Sequence, residues 1–173
     1  TLNTAISRCY AEGILGQNVL GKKICFELEV RLGAGAYICG EETSLLESLE
    51  GKRGLVRSKP PLPAIEGLFG CPTVVNNVLT LGAISSIVCK GSDYYKNYGT
   101  GRSRGTLPVQ LSGNIKRGGL IEIPFGISLR EIVEDFGGGT FSGNPVKAIQ
   151  VGGPLGAFVD RDKWDTPMDY EAF

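Results

Sequence analysis

The sequence predicts a chain of two parts, an α/β domain over residues 1–104 followed by a small α+β module over residues 105–173. Three observations carry this reading. From 24 to 32, Ile24, Phe26, Leu28, Val30 and Leu32 alternate with Cys25, Glu27, Glu29 and Arg31, the period of a strand with one buried face. A glycine-rich stretch, Gly33 to Gly40, follows at once and opens a helix, the layout in which α/β proteins bind ligands at strand ends. Beyond residue 104 the pattern changes to short strand candidates around one capped helix.

In chain order, Ala5, Ile6, Cys9 and Tyr10 sit at helical spacing over residues 2–11, closed by Gly13. After the strand and glycine loop, Leu45, Leu46 and Leu49 define a helix that Gly51 and the basic pair Lys52-Arg53 terminate. Residues 52–72 hold four prolines and read as extended loop. Pro72-Thr73 starts a second helix with Val74, Val75, Val78, Leu81, Ile84, Ile87 and Val88 on its apolar side. Residues 99–105, Gly-Thr-Gly-Arg-Ser-Arg-Gly, read as a linker. In the second part, Leu107–Leu111 and Leu120–Ile123 are strand candidates. Ser128-Leu-Arg-Glu131 is a capping box for a helix through Phe136, and Lys147–Val151 is a returning strand. Two strands, a helix and a returning strand describe a β-grasp type of module.

Composition narrows the function. Eighteen basic residues balance eighteen acidic ones without long runs, which gives no support to nucleic-acid or anionic-membrane binding. No apolar stretch approaches the roughly 20 residues that span a bilayer, so direct membrane insertion is not expected. Histidine is absent, and Cys9, Cys25, Cys39, Cys71 and Cys89 are scattered without a Cys-x-x-Cys pair. A Ser–His–Asp triad, a Cys–His nucleophile and any imidazole-bound metal are thereby excluded, and no metal site is expected. Reduced, mostly buried thiols in a cytoplasmic protein are the plain expectation. Weight moves from side-chain acid–base catalysis to cofactor chemistry.

The glycine loop Gly35–Gly40 has the spacing of a phosphate cradle, but Glu41 and Glu42 stand where Lys and Ser/Thr belong. Two carboxylates at a helix N-terminus satisfy its dipole and repel a polyphosphate, so a Walker-type ATPase is disfavoured. They suit ribose hydroxyls or the N–H and amide edges of a heterocycle. Alone, the same acids equally fit a plain helix cap. Asn76 and Asn77 offer donors and acceptors to a ligand or cap a turn, and Lys59 steers a phosphate or stands solvated.

Taken together, Gly33-Ala-Gly-Ala-Tyr-Ile-Cys-Gly-Glu-Glu-Thr43, Leu46-Glu-Ser-Leu-Glu-Gly-Lys-Arg-Gly54, Lys59-Pro-Pro-Leu-Pro63 and Pro72-Thr-Val-Val-Asn-Asn-Val78 resemble the flavin-binding subunit of respiratory complex I. The same subunit type serves NAD-linked formate dehydrogenases and NAD-reducing hydrogenases. The match runs in order over nearly the whole chain. It implies an internal part of an NADH-oxidising flavoprotein subunit: a partial, Rossmann-like FMN/NADH-binding α/β domain followed by a β-grasp (SLBB-like) domain. It also implies hydride transfer from nicotinamide C4 to flavin N5, and electrons passed to iron–sulfur clusters of a larger complex. By position, Tyr37, Gly40 and Glu41 border the isoalloxazine, and Glu42 contacts the nicotinamide nucleotide. Asn76 and Asn77 hold the ribityl or phosphate part of FMN with the backbone near Val75. Lys59 and Leu62 are further NADH contacts.

Implied cofactors are FMN and NAD(H), with a 4Fe-4S cluster only in the full-length protein. Implied partners are NADH and other subunits, among them a 24 kDa-type 2Fe-2S subunit, at the cytoplasm or the cytoplasmic face of a membrane. The family's first FMN loop is expected upstream of residue 1 and its cluster cysteines downstream of residue 173. The 173 residues alone are therefore expected to be inactive and to bind FMN weakly. Two positions depart from the family pattern. Leu62 replaces the usual aromatic after Lys-Pro-Pro, removing a stacking contact of about 0.5–1.5 kcal/mol. Leu79 replaces a Glu that complex I members carry after Asn-Asn-Val, which leans towards the formate dehydrogenase or hydrogenase branch. The alternatives are an RnfC-type flavin electron-transfer subunit, whose loop motifs differ, and a non-catalytic β-grasp assembly module.

Overall fold

The computed structural model describes residues 1–173, as a mixed α/β chain in two units, Thr1–Val75 and Asn76–Phe173. In the first unit, helix α1 (Leu2–Ala11) ends where Gly13 adopts a positive φ of 68°. The Tyr10 hydroxyl bonds the Glu27 carboxylate and accepts the Leu28 N–H at 3.3 Å. One antiparallel bridge, Gly16 with Phe26, joins the following segment to this helix turn.

The strand expected over 24–32 does not form. Apart from that bridge the segment has no ladder partner, and Ile24, Phe26, Leu28 and Leu32 are exposed, Leu32 at 95%, with Val30 half-buried. Alternation describes a surface that fits a sheet; backbone pairing must supply the sheet itself.

Helix α2 (Glu42–Leu49) follows a single 3-10 turn at Tyr37–Gly40. Glu41 is its N-cap, and Gly51 (φ 77°) its left-handed stop, as the sequence predicts. Thr43, Ser44 and Leu46 are buried, so this helix presents its N-terminal half to the unit's interior. The proline-rich stretch 52–72 carries only a short 3-10 turn at Leu68–Gly70. Arg57 holds it in place. Its Nε donates to Glu47 at 2.5 Å, one Nη to Glu50 at 2.7 Å and the other to the Gly67 carbonyl at 2.9 Å. A loop without a ladder of its own is thus fixed by one planar five-donor cation.

In the second unit, helix α3 (Val78–Lys90) starts six residues later than the apolar run beginning at Pro72 predicts. Asn77 is its N-cap, its side-chain oxygen accepting the Leu79 N–H at 2.9 Å. An amide cap competes with helical geometry at its own position, so the helix begins after the Asn pair rather than through it. None of its residues is buried. Gly91 turns the chain into α4 (Ser92–Lys96).

The expected linker is a hairpin, β1 (Gly99–Thr100) with β2 (Ser103–Arg104), closed by Gly101-Arg102. Glycines read as flexibility here serve close pairing instead: a Cβ on Gly99 would lie 2.3 Å from the Ser103 carbonyl oxygen.

Strands β3 (Thr106–Leu111) and β4 (Gly119–Pro124) pair antiparallel with Leu107 opposite Ile123 and Val109 opposite Ile121. The capping box is complete: Ser128 accepts the Glu131 N–H and Glu131 returns to Ser128. It opens α5 (Leu129–Glu131), continued by a π-turn through Phe136. Leu111, Ile123 and Ile132 form the core, backed by Val109, Ile115, Ile121, Ile127 and Met168. The returning strand, β5 (Ile149–Val151), pairs with β6 (Ala157–Val159) in a separate two-stranded sheet, so two separate hairpins, β3–β4 and β5–β6, stand where one larger sheet is expected. Trp164, 1% exposed, donates its indole N–H to the Val159 carbonyl at 3.1 Å. None of the five cysteines is buried, contrary to the expectation for most of them. Cys25, Cys71 and Cys89 are exposed, lying on loops and on the unburied helix α3.

Candidate functional site

Three of the sequence-predicted residues meet in the first unit. Glu41, Glu42 and Lys59 form one charged cluster at the start of α2. Lys59 Nζ bonds the Glu42 carboxylate and lies 3.8 Å from Glu41. Glu41 accepts the Thr43 and Ser44 N–H groups, both at 2.9 Å, and the Thr43 hydroxyl. One carboxylate oxygen is spent on capping, and the other faces Lys59. These bonds, led by the Thr43 hydroxyl and then the Ser44 N–H, hold the Glu41 carboxyl below the ordinary carboxylate range. Lys59 is held above the ordinary lysine value, chiefly by its bond to Glu42. All three side chains remain about a third exposed, so the cluster is reachable.

The cap reading and the ligand reading therefore divide between the two acids. Glu41 closes the helix end. Glu42 has no backbone duty and holds only Lys59, so its carboxylate can exchange that partner for a ligand.

Around the cluster, Tyr37 presents its ring at 66% exposure and Leu62 is exposed. A Cβ on Gly33, Gly35 or Gly40 would meet nothing within 4 Å, so the loop backbone is open to close approach. The Ser44 hydroxyl is fully buried without a hydrogen-bond partner. In the second unit, Asn76 and Asn77 are exposed at the start of α3; Asn77 keeps its amide nitrogen free while its oxygen caps. Val75, half-buried, is the last residue of the first unit.

Sequence reasoning passes over Thr43 and Arg57. The Thr43 hydroxyl both donates to Glu41 and accepts the Arg57 N–H at 2.9 Å, tying the glutamate loop to the proline-rich one. A threonine directly after two glutamates at a helix start is the available signal.

This donor set fits a nucleotide-like ring. It combines exposed backbone at a glycine loop, an aromatic face, and a carboxylate beside a movable ammonium. No helix is long and apolar enough to cross a membrane.

Residues 1–86 match the Nuo51 FMN-binding domain. The chain is 46% identical to the NADP-reducing hydrogenase subunit HndC of Solidesulfovibrio fructosivorans, over 99% of its own length and 35% of that relative. It is also 46% identical to an NADH-quinone oxidoreductase subunit of Escherichia coli (strain K12), over 99% of its length and 38% of the relative. A crystal structure of NAD+-reducing [NiFe]-hydrogenase in the H2-reduced state superposes with a TM-score of 0.77 at 40% identity, covering 85% of this chain and 25% of that one. Residues 1–86 are thus of the Nuo51 flavin-domain class. The chain belongs to the family of complex I-type flavin-binding subunits, which includes subunits of NADH-quinone oxidoreductase and of hydrogenases. It spans 35% and 38% of the length of the two relatives described.

Proposed function

We propose that this chain is part of an NADH-oxidising flavoprotein subunit that receives hydride from NADH on FMN and delivers electrons to other subunits. The observation that carries it is Glu42, paired only with Lys59 beside an open glycine loop in a chain of this family. Bound FMN supplies the redox chemistry; the chain's residues bind and orient. Tyr37 and Gly40 would offer an aromatic face and open backbone to the isoalloxazine, bordered also by Glu41, which caps the helix. Glu42 accepts from hydroxyl or amide donors of the nicotinamide nucleotide as Lys59 turns to its phosphates, with Leu62 as an apolar contact. Asn76, Asn77 and the backbone at Val75 are proposed ligands of the ribityl and phosphate portion of FMN. No side-chain acid or base is called for, since hydride transfer would be the chemistry of the bound cofactors, which these residues would only hold and orient.

The finer architecture belongs to the same proposal: a Rossmann-like domain over residues 1–104 and a β-grasp (SLBB-like) domain over 105–173. So do a 4Fe-4S cluster elsewhere in the full-length protein, a 24 kDa-type 2Fe-2S partner and a cytoplasmic location. The test is NADH-dependent dye reduction by the full gene product reconstituted with FMN. Activity that falls in Glu42→Gln supports the reading. A flavin-loaded product that never oxidises NADH contradicts it.

A further inference from the structure

The second unit carries a hollow of about 690 Å³ that the flavin reading does not use. This is within the size range of small-molecule sites, about 300–1,000 Å³. One wall is the N-terminal half of α3, where Gly82 and Ala83 leave the helix surface low; a Cβ on Gly82 would meet nothing within 4 Å. Tyr94, Tyr95 and Tyr98 line it with their rings. Tyr94 and Tyr98 stand edge to face at 5.3 Å, with hydroxyls 3.2 Å apart. Tyr95 is seated against Gly105, where a Cβ would fall 2.1 Å from its hydroxyl.

Two charges also line this hollow, and neither is neutralised. Arg104 gives one N–H to the Lys96 carbonyl at 3.2 Å and joins no ion pair. Glu122 accepts the Thr106 hydroxyl at 2.6 Å and likewise joins none. Elsewhere in the unit Arg130 holds Asp165 at 2.6 Å and Arg102 holds Glu171 at 3.1 Å. A guanidinium fork with free donors suits a phosphate. A carboxylate with a free oxygen suits ribose hydroxyls or an exocyclic amine. Tyrosines in a hollow that also has a low helix face suit a flat heterocycle. We propose that this hollow binds a nucleoside monophosphate, base against the tyrosines, hydroxyl or amine donors on Glu122 and phosphate on Arg104. Neither Glu41 nor Glu42 lines it.

Calorimetric titration of the chain with AMP tests it, with adenosine and inorganic phosphate as separate arms. Saturable AMP binding is expected, with adenosine and phosphate each weaker. Arg104→Ala is expected to weaken AMP at least tenfold, the loss of one charge-assisted contact, with little effect on adenosine. Gly82→Leu, which enters open space and favours the helix, is expected to abolish binding with the unfolding midpoint unchanged or raised. Glu42→Gln is expected to leave AMP affinity unaltered. The proposal is overturned if AMP does not saturate, if Gly82→Leu binds like the unmodified chain, or if Glu42→Gln removes the binding.

Discussion

Arg57 and Lys59 stand two residues apart on the same proline-rich loop, and both pair with glutamates of the helix α2 region. Their circumstances differ. Arg57 is held from three sides: Glu47, Glu50 and the Gly67 carbonyl each take a donor, and the Glu50 side chain is only 6% exposed. Lys59 touches Glu42 and approaches Glu41, with all three partly open to water. A cation bonded at once to two carboxylates and a carbonyl holds a loop. One whose partner is a single exposed carboxylate can be displaced. Both are cation–carboxylate pairs, and the number of bonds each cation makes to protein separates scaffold from site.

Removing the common foundation should have the largest effect on stability. Leu46, 2% exposed, anchors α2 under both networks, and Leu46→Ala is expected to cost about 2–5 kcal/mol by chemical denaturation. Next comes the scaffold itself. Glu50 is pulled down to about 2 by Lys52 first, then by Arg57 and the Phe69 N–H. Its folded pKa lies below the ordinary carboxylate value, so its contribution is complete above that value and is lost as pH falls towards about 2. Arg57→Met should lower the unfolding midpoint at neutral pH and flatten the acid limb between those two points. An unchanged acid limb would mean that Lys52 alone sets Glu50. In the second unit, Asn77→Ala should cost about 1 kcal/mol through loss of the α3 cap. A much larger loss would assign Asn77 more than capping. Smallest for stability is Lys59→Met, whose unfolding midpoint should match the unmodified chain while NADH oxidation by the full gene product falls.

Legibility in the sequence follows the range of the interactions. The capping box at Ser128 and Glu131 and the stop at Gly51 are local, and both stand as read. Leu107–Leu111 and Leu120–Ile123 are strands because each is the other's partner across a short connection. Residues 24–32 carry a cleaner alternation and form no ladder, since alternation does not reveal who pairs with it. The start of α3 is misread because Val74 and Val75 continue the apolar run, whereas the boundary is set by one Asn77 hydrogen bond. At the candidate site, the residue types and their loop are legible. The split of duties between Glu41 and Glu42 is not, because both stand at the same helix start and only the bond partners distinguish them.

The KM for NADH of Glu42→Gln in the FMN-loaded full gene product tests the division between site and scaffold most directly. With flavin content and unfolding midpoint unchanged, KM should rise about tenfold, the worth of one hydrogen bond to a charged group. An unchanged KM together with a lowered unfolding midpoint would make Glu42 a second structural pair like those of Arg57, and the account would fail.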